Sequence, residues 1–401
     1  MRGPVQEEHG QAGATAAGGP RVLFIDHSGA LGGAELYLLD VLQGLPVRAR
    51  VLLFEDGPFR NRLVEAGVPV RVESAAEHLL SVSRDAGLGR ILRALPHLVG
   101  LVGRTVHHAR RADVVYANSQ KALVVGALAS LIARRPLIWN VHDVLTTAHF
   151  SAFNIRVAVT LANRCAAHVI ANSAASYEAF REAGGTTPVT VIHNGIDPHR
   201  FEAVTDTEVE ALRQSLGLDV DRPVVGVFSR IAQWKGQHVL LDALPELPHV
   251  QALFVGGILF RDDEPYLRQL HRTVQVHGLG ERVRFLGFRD DIPALMRLVD
   301  VVVHTSTAPE PFGRVIVEGM MAKTPVVATR AGGALEIIDH GKTGLLTPPA
   351  DSKALAAALR EVLANPVQAH RLAQDGASSA QRQFSLKAIT ARIDHVVKQI
   401  A

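Results

Sequence analysis

Short apolar runs rich in Val, Ile and Leu alternate along the chain with stretches whose apolar residues recur at helical spacing, the pattern of successive strand–helix–strand units. The runs predict strands at 21–26, 49–54, 68–71, 114–117, 137–141, 168–171 and 189–193. A second series falls at 224–228, 252–255, 283–286, 301–304 and 325–329. Most are continuously apolar rather than alternating, as expected of strands covered by helices on both faces. Between them lie candidate helices at 34–42, 121–132, 176–183, 237–243, 265–277, 292–297 and 314–322. Beyond residue 351 no strand-like run occurs, and the chain reads as helices, the last at 386–400. The pattern restarts near residue 222, after a polar stretch at 202–221.

The expectation is therefore an α/β protein with two doubly wound, Rossmann-like domains, at 20–205 and 222–380, facing across a cleft. Residues 1–19 are expected to be a flexible tail and 381–401 a terminal helix. Ligands of such sheets bind beyond the carboxyl ends of the strands.

Composition narrows the partners. With 401 residues, 47% of them apolar, the chain is long enough for two cores and too apolar for disorder. Only 5% of residues are aromatic, too few for the stacking surfaces of single-strand binding, so nucleic acid is not expected. The first 200 residues carry 20 Lys/Arg against 16 Asp/Glu, a mild basic bias. No apolar run is long enough to span a bilayer, and the single cysteine, Cys165, favours a reducing, cytoplasmic setting. The segment 84–111 interleaves Arg90, Arg93, Arg104, Arg110 and Arg111 with apolar residues at helical spacing. A peripheral membrane helix and an ordinary core-facing helix, broken at Pro96 or not, both fit that pattern.

Three places suit chemistry. The first strand ends in Asp26-His27-Ser28-Gly29-Ala30-Leu31-Gly32-Gly33, whose glycines admit close approach of a ligand to a helix N-terminus. Neither a dinucleotide fingerprint nor a P-loop is present, and a plain tight turn explains the glycines as well. After the strand at 224–228 come Ser229-Arg230 and Lys235-Gly236, a guanidinium fork and a compact ammonium suited to a diphosphate. After the strand at 301–304 comes Glu310-Pro311-Phe312-Gly313-Arg314, followed by Glu318 one turn into a helix. Carboxylates there can hold sugar hydroxyls while the helix N–H groups hold phosphate oxygens. The pairs Asp262-Asp263 and Asp290-Asp291 lack the spacing of a metal site and read as solvated loop charges.

Taken together, the Glu310-x7-Glu318 element, Ser229-Arg230 with Lys235-Gly236, and Ala331-Gly332-Gly333 resemble the retaining glycosyltransferases of the GT-B fold, family 4. So do Gly32-Gly33-Ala34-Glu35, Asn140-Val141-His142-Asp143 and His193-Asn194-Gly195-Ile196-Asp197 in the front half. That resemblance implies transfer of a hexosyl group from a nucleotide diphosphate sugar, such as a UDP- or GDP-hexose, to a sugar, lipid or small-molecule alcohol. The resemblance further implies that anomeric configuration would be retained and that neither cofactor nor metal would take part. The front domain would take the acceptor, the back domain the donor, and the last helix would cross back to the front domain. Arg230 and Lys235 would meet the diphosphate, Glu318 the ribose and Glu310 the donor sugar. Gly32, Gly33, Ser229, Phe312, Gly313 and Arg314 would complete the donor contacts. His142 would lie beneath the anomeric carbon, with Asn172 and Ser173 on the acceptor side. A sugar-nucleotide 2-epimerase and a non-catalytic binding protein on the same fold stay open as alternatives.

Overall fold

The computed structural model describes residues 18–74, 88–147, 150–259 and 261–401, with the backbone alone at 88–95. The expected tail lies almost wholly outside these residues, as does the start of the basic 84–111 segment. The chain divides into two compact units. One comprises Met1–Ala171, Glu178–Ile192 and Thr390–Ala401; the other comprises Asn172–Tyr177 and His193–Ile389. The chain passes from the first unit to the second at Ile192/His193, and helix Asp206–Ser215 packs beside helix Ile292–Leu298 within the second unit.

The first unit holds seven parallel strands: β1 (Arg21–Asp26), β2 (Arg48–Leu53), β3 (Val70–Val72), β4 (Val114–Ala117), β5 (Leu137–Val141), β6 (Ala166–Ala171) and β7 (Val189–Val191). Their order is β3-β2-β1-β4-β5-β6-β7. The second unit holds six: β8 (Val224–Phe228), β9 (Gln251–Val255), β10 (Val283–Gly287), β11 (Val301–His304), β12 (Val326–Thr329) and β13 (Leu345–Thr347), in the order β10-β9-β8-β11-β12-β13. All pairings between these strands are parallel. Strands β4, β5, β8, β9, β11 and β12 are buried at every residue, which is why they read as largely apolar runs, with Asn140 inside β5 and polar residues only at the ends of β9, β11 and β12. The three-residue β13 follows a turn at Gly341–Gly344 and was too short to stand out in the sequence.

Each sheet reverses its winding once, between β1 and β4 in the first unit and between β8 and β11 in the second. The register places Ile25 of β1 beside Ala117 of β4 and Val227 of β8 beside Val303 of β11. The carboxyl ends of each pair are therefore level, and the loops that leave them splay apart to form a crevice.

The basic segment contains one helix, Leu88–Ala109, which continues through Pro96. Leu101, Val102 and Val106 are buried, and the helix packs against helix Gln120–Ala133. Arg104 reaches the Glu73 carboxylate at 2.9 Å. Over its described side chains this helix faces the core through Leu101, Val102 and Val106, with Val99 and Arg104 on its outer side. Among the described residues no helix is long and apolar enough to cross a membrane.

Candidate functional site

In the second unit the loops leaving β8 and β11 bring three cations together with three carboxylates. Lys235, at the end of a short 3₁₀ turn after β8, places Nζ 2.5 Å from Glu310 Oε1. The other oxygen of Glu310 accepts from His304 Nε2 at 2.6 Å and from Ser306 Oγ at 2.8 Å. Burial would raise the pKa of Glu310, but the Lys235 ammonium and the His304 contact outweigh it and hold the carboxyl well below its usual range. Arg230 Nη1 lies 3.1 Å from Asp263 Oδ2. Burial draws the Arg230 pKa down while the charges of Asp263 and Glu310 draw it back up, so Glu310 is felt by both cations. Arg314 Nη2 meets Glu318 Oε1 at 3.3 Å, one helical turn along. Both cations of the β8 loop also face the indole of Trp234, Lys235 Nζ at 4.3 Å and Arg230 Cζ at 5.6 Å from its centroid.

Close backbone packing sets this geometry. Gly332 has φ +57°, and a Cβ there would stand 2.2 Å from the Glu310 carbonyl oxygen. The next residue donates its N–H to that same oxygen at 2.9 Å. Gly236 has φ +68°, and a Cβ there would stand 2.1 Å from Thr305 O. The Glu310 loop is thus clamped from both sides at positions where only glycine fits. The Phe312 ring is buried and packs between His193 and Phe384, with centroids 5.5 Å from each. Gly313 precedes helix Arg314–Met321, whose first N–H groups lie next to the loop.

Glu336, three residues past Gly333, ties a separate piece of chain to this unit. Its carboxylate accepts from Ala174 N at 2.9 Å, Ala175 N at 3.2 Å and His193 Nε2 at 3.0 Å. Burial raises its pKa, but these donors prevail and hold it below the usual range. It caps the N-terminus of helix Ala174–Glu182, a favourable place for negative charge.

In the first unit the corresponding crevice of its own sheet, at the ends of β1 and β4, holds buried Asp26 and Asn118. Asp26 Oδ1 accepts from His27 N at 2.6 Å, and Asp26 Oδ2 accepts from Asn118 Nδ2 at 2.6 Å. Asn118 Oδ1 lies 2.9 Å from His142 Nε2, just past β5. Glu35 Oε2 accepts from Gly32 N at 3.1 Å at the start of helix Gly33–Gly44. Burial and the Asp26 charge push the Glu35 carboxyl up to about 7. Burial pushes Asp143 up to about 6.

A family model described as "Glycosyl transferases group 1" matches residues 208–379, and one described as "Glycosyl transferase 4-like domain" matches residues 32–195. The chain is similar to the solved structure of Anabaena Alr3699/HepE in complex with UDP and glucose. The likeness is 44% identity over 94% of this chain and 99% of that one, with a TM-score of 0.86. The chain belongs to the group 1 glycosyltransferases. Among curated relatives it is 28% identical to the lipopolysaccharide core biosynthesis glycosyltransferase LpsE of Rhizobium meliloti (strain 1021), over 91% of this chain and 95% of that protein. It is 28% identical to the 2-deoxystreptamine glucosyltransferase of Streptomyces kanamyceticus, over 77% and 86%. WaaG, at 18% identity and a TM-score of 0.70 over 94% of this chain, shares the fold.

The fold of this glycosyltransferase is GT-B, as the resemblance implied, with the two Rossmann-like units that the strand pattern predicted. Of the expected site residues, the structure brings together Arg230, Lys235, Glu310, Arg314 and Glu318 with the Phe312–Gly313 backbone. Ser229 accepts from Gln237 Nε2 at 2.9 Å at the edge of the same loop. Gly32, Gly33 and His142 belong to the first unit. Asn172 and Ser173, expected on the acceptor side, directly follow β6. Both are buried, and Ser176 Oγ donates to Asn172 Oδ1 at 2.8 Å while Ser173 Oγ accepts from Ser176 N at 3.0 Å. Their polar groups serve the start of helix Ala174–Glu182. Nor are the acidic pairs merely solvated, since Asp263 partners Arg230 and Asp291 partners Arg289 at 2.8 Å.

Sequence reasoning missed Trp234, His304, Ser306, Glu336, Asp26 and Asn118. The signal available was position: Asp26 and His304 are the last residues of β1 and β11, Asn118 follows β4, and Trp234 adjoins Lys235.

Proposed function

We propose that this glycosyltransferase moves a hexosyl group from a nucleoside diphosphate sugar to an acceptor hydroxyl, with retention of configuration and without a metal. The second unit takes the donor and the first the acceptor. The carrying observation is the Lys235–Glu310 pair, with Arg230 on the same indole ring, at the ends of β8 and β11 beside the N-terminus of helix Arg314–Met321. The relative at 44% identity was solved with UDP-glucose, which makes that the first donor to test.

Breaking the glycosyl–diphosphate bond develops negative charge on the departing phosphate and positive charge on the sugar. Lys235, Arg230 and the helix N–H groups offset the first, and loss of one such donor costs about 2.7–4 kcal/mol of barrier. The ion pairs hold these cations in place beforehand, so binding the diphosphate exchanges partners rather than ordering free side chains. Glu318 is assigned to the ribose, Glu310 to the sugar, and His142 to orienting the sugar. Retention without a covalent intermediate lets the departing phosphate take the acceptor proton on the face it leaves. Among the described residues no three His, Cys, Asp or Glu side chains are grouped as a metal site requires.

The test is a thermal-shift series with UDP, GDP and ADP, followed by UDP-glucose turnover in EDTA and NMR assignment of the product anomer. UDP at a hundredfold excess over its Kd should stabilise by about 2.7 kcal/mol. No shift with any of the three, EDTA-sensitive turnover or an inverted product would each overturn the corresponding part.

A further inference from the structure

Where Asp26, Asn118 and His142 meet, the buried amide of Asn118 has only one workable orientation. Its Nδ2 faces two acceptors, Asp26 Oδ2 at 2.6 Å and the Ala34 carbonyl at 3.4 Å. Asp26 is itself pinned, because its Oδ1 accepts the N–H groups of His27 at 2.6 Å and Ser28 at 3.3 Å. Asp26 and Asn118 are both 0% exposed, so water cannot substitute for either contact. Turning the amide over would set its carbonyl against a carboxylate and a second carbonyl. Asn118 Oδ1 must therefore face His142 Nε2, 2.9 Å away, and an oxygen can only accept there.

We propose that Asp26 and Asn118 are positioning residues that hold His142 as its Nε2–H tautomer, leaving Nδ1 as the accepting nitrogen of the ring. The role of that ring in sugar transfer rests on the proposed function; the tautomer does not. The arrangement follows the logic by which a buried acid orients a histidine, here with the Asn118 amide interposed between Asp26 and the ring. The edge of Tyr37, with ring centroids 5.6 Å apart, limits rotation of the imidazole. All three polar residues leave the carboxyl ends of β1, β4 and β5, the edge where this fold binds ligands. The consequence for the reaction is that Nε2, which carries its proton towards Asn118 Oδ1, does not serve as a base.

The experiment is ¹⁵N NMR of the histidine-labelled full chain, comparing wild type with Asn118→Ala and Asn118→Asp, alongside steady-state turnover of UDP-glucose. In wild type the His142 signals should show a protonated Nε2 and an unprotonated Nδ1. Asn118→Ala should give a tautomer mixture and a kcat roughly ten- to a hundredfold lower, with KM for UDP-glucose little changed. Asn118→Asp sets an oxygen against Asp26 Oδ2 and the Ala34 carbonyl in place of the amide donor, so it should disturb the ring signals and turnover at least as much as Asn118→Ala. A wild-type ring protonated at Nδ1 overturns the inference, as does an Asn118→Ala protein with unchanged ring signals or turnover. Should wild type fail to turn over UDP-glucose, the proposed function falls while the ring signals still decide the tautomer. If Asn118→Asp does not fold, the wild-type spectrum and Asn118→Ala decide alone.

Discussion

Lys235 Nζ and Glu310 Oε1 stand 2.5 Å apart although 75 residues of chain separate them, and the two side chains are only 13% and 12% exposed. At that burial each charge depends on the other, because an uncompensated ion in a poorly solvated site costs more than the pair gains. Lys235→Ala should therefore destabilise the protein by about 3 kcal/mol in urea titration, besides removing turnover. The double variant Lys235→Met/Glu310→Gln should lose much less than the two single losses combined. Additive losses would show the pair to be energetically independent.

Trp234 carries both cations on one ring, so its effect should appear in donor binding. Trp234→Ala should raise KM for UDP-glucose about fivefold, corresponding to about 1 kcal/mol of cation–π interaction, while Trp234→Phe keeps most of the affinity. Equal KM values in all three proteins would remove the indole from the account.

Gly332 is where the Glu310 loop meets the turn after β12. Gly332→Ala combines a left-handed φ of +57° with a Cβ 2.2 Å from Glu310 O, so the loop must move. Expected are a stability loss of about 1–3 kcal/mol and reduced UDP affinity by calorimetry. The control Gly33→Ala, whose Cβ would meet nothing within 4 Å, should leave stability nearly unchanged.

The raised pKa of Glu35 makes stability depend on pH in a stated direction. Burial and the Asp26 charge lift the folded value to about 7, from 4.5 in the unfolded chain, so between these values the folded state binds more protons. Stability from this group is then complete below about pH 4.5 and declines as pH rises towards 7. The full shift corresponds to about 3 kcal/mol. Glu35→Gln keeps an acceptor for Gly32 N–H and should flatten this slope. Denaturation at pH 5.5 and 7.5 should show wild type losing more stability than Glu35→Gln over that interval.

Much of this protein was legible in one dimension. The runs at 224–228 and 301–304 could be read as strands because both faces of each are covered, leaving no polar position to interrupt the pattern. Arg230, Lys235, Glu310 and Glu318 stood out because charged residues immediately past buried strands are placed where parallel sheets bind ligands. The three-residue β13 left too little pattern to see, and Pro96 suggested a break in a helix that continues through it.

The sequence alone determined the alternation of elements, the two sheets and the loops that carry charge, since these depend on local periodicity and on residues near one another in the chain. Which charge meets which was decided only by the tertiary structure. Lys235 finds Glu310, Arg230 finds Asp263, and Asn118 links Asp26 to His142, because strand order places β11 and β9 beside β8, and β4 between β1 and β5. Asn172 and Ser173 turned inward for the same reason. A polar residue at a strand end faces a ligand or caps the next helix according to what packs over it, and that information lies in residues far away along the chain.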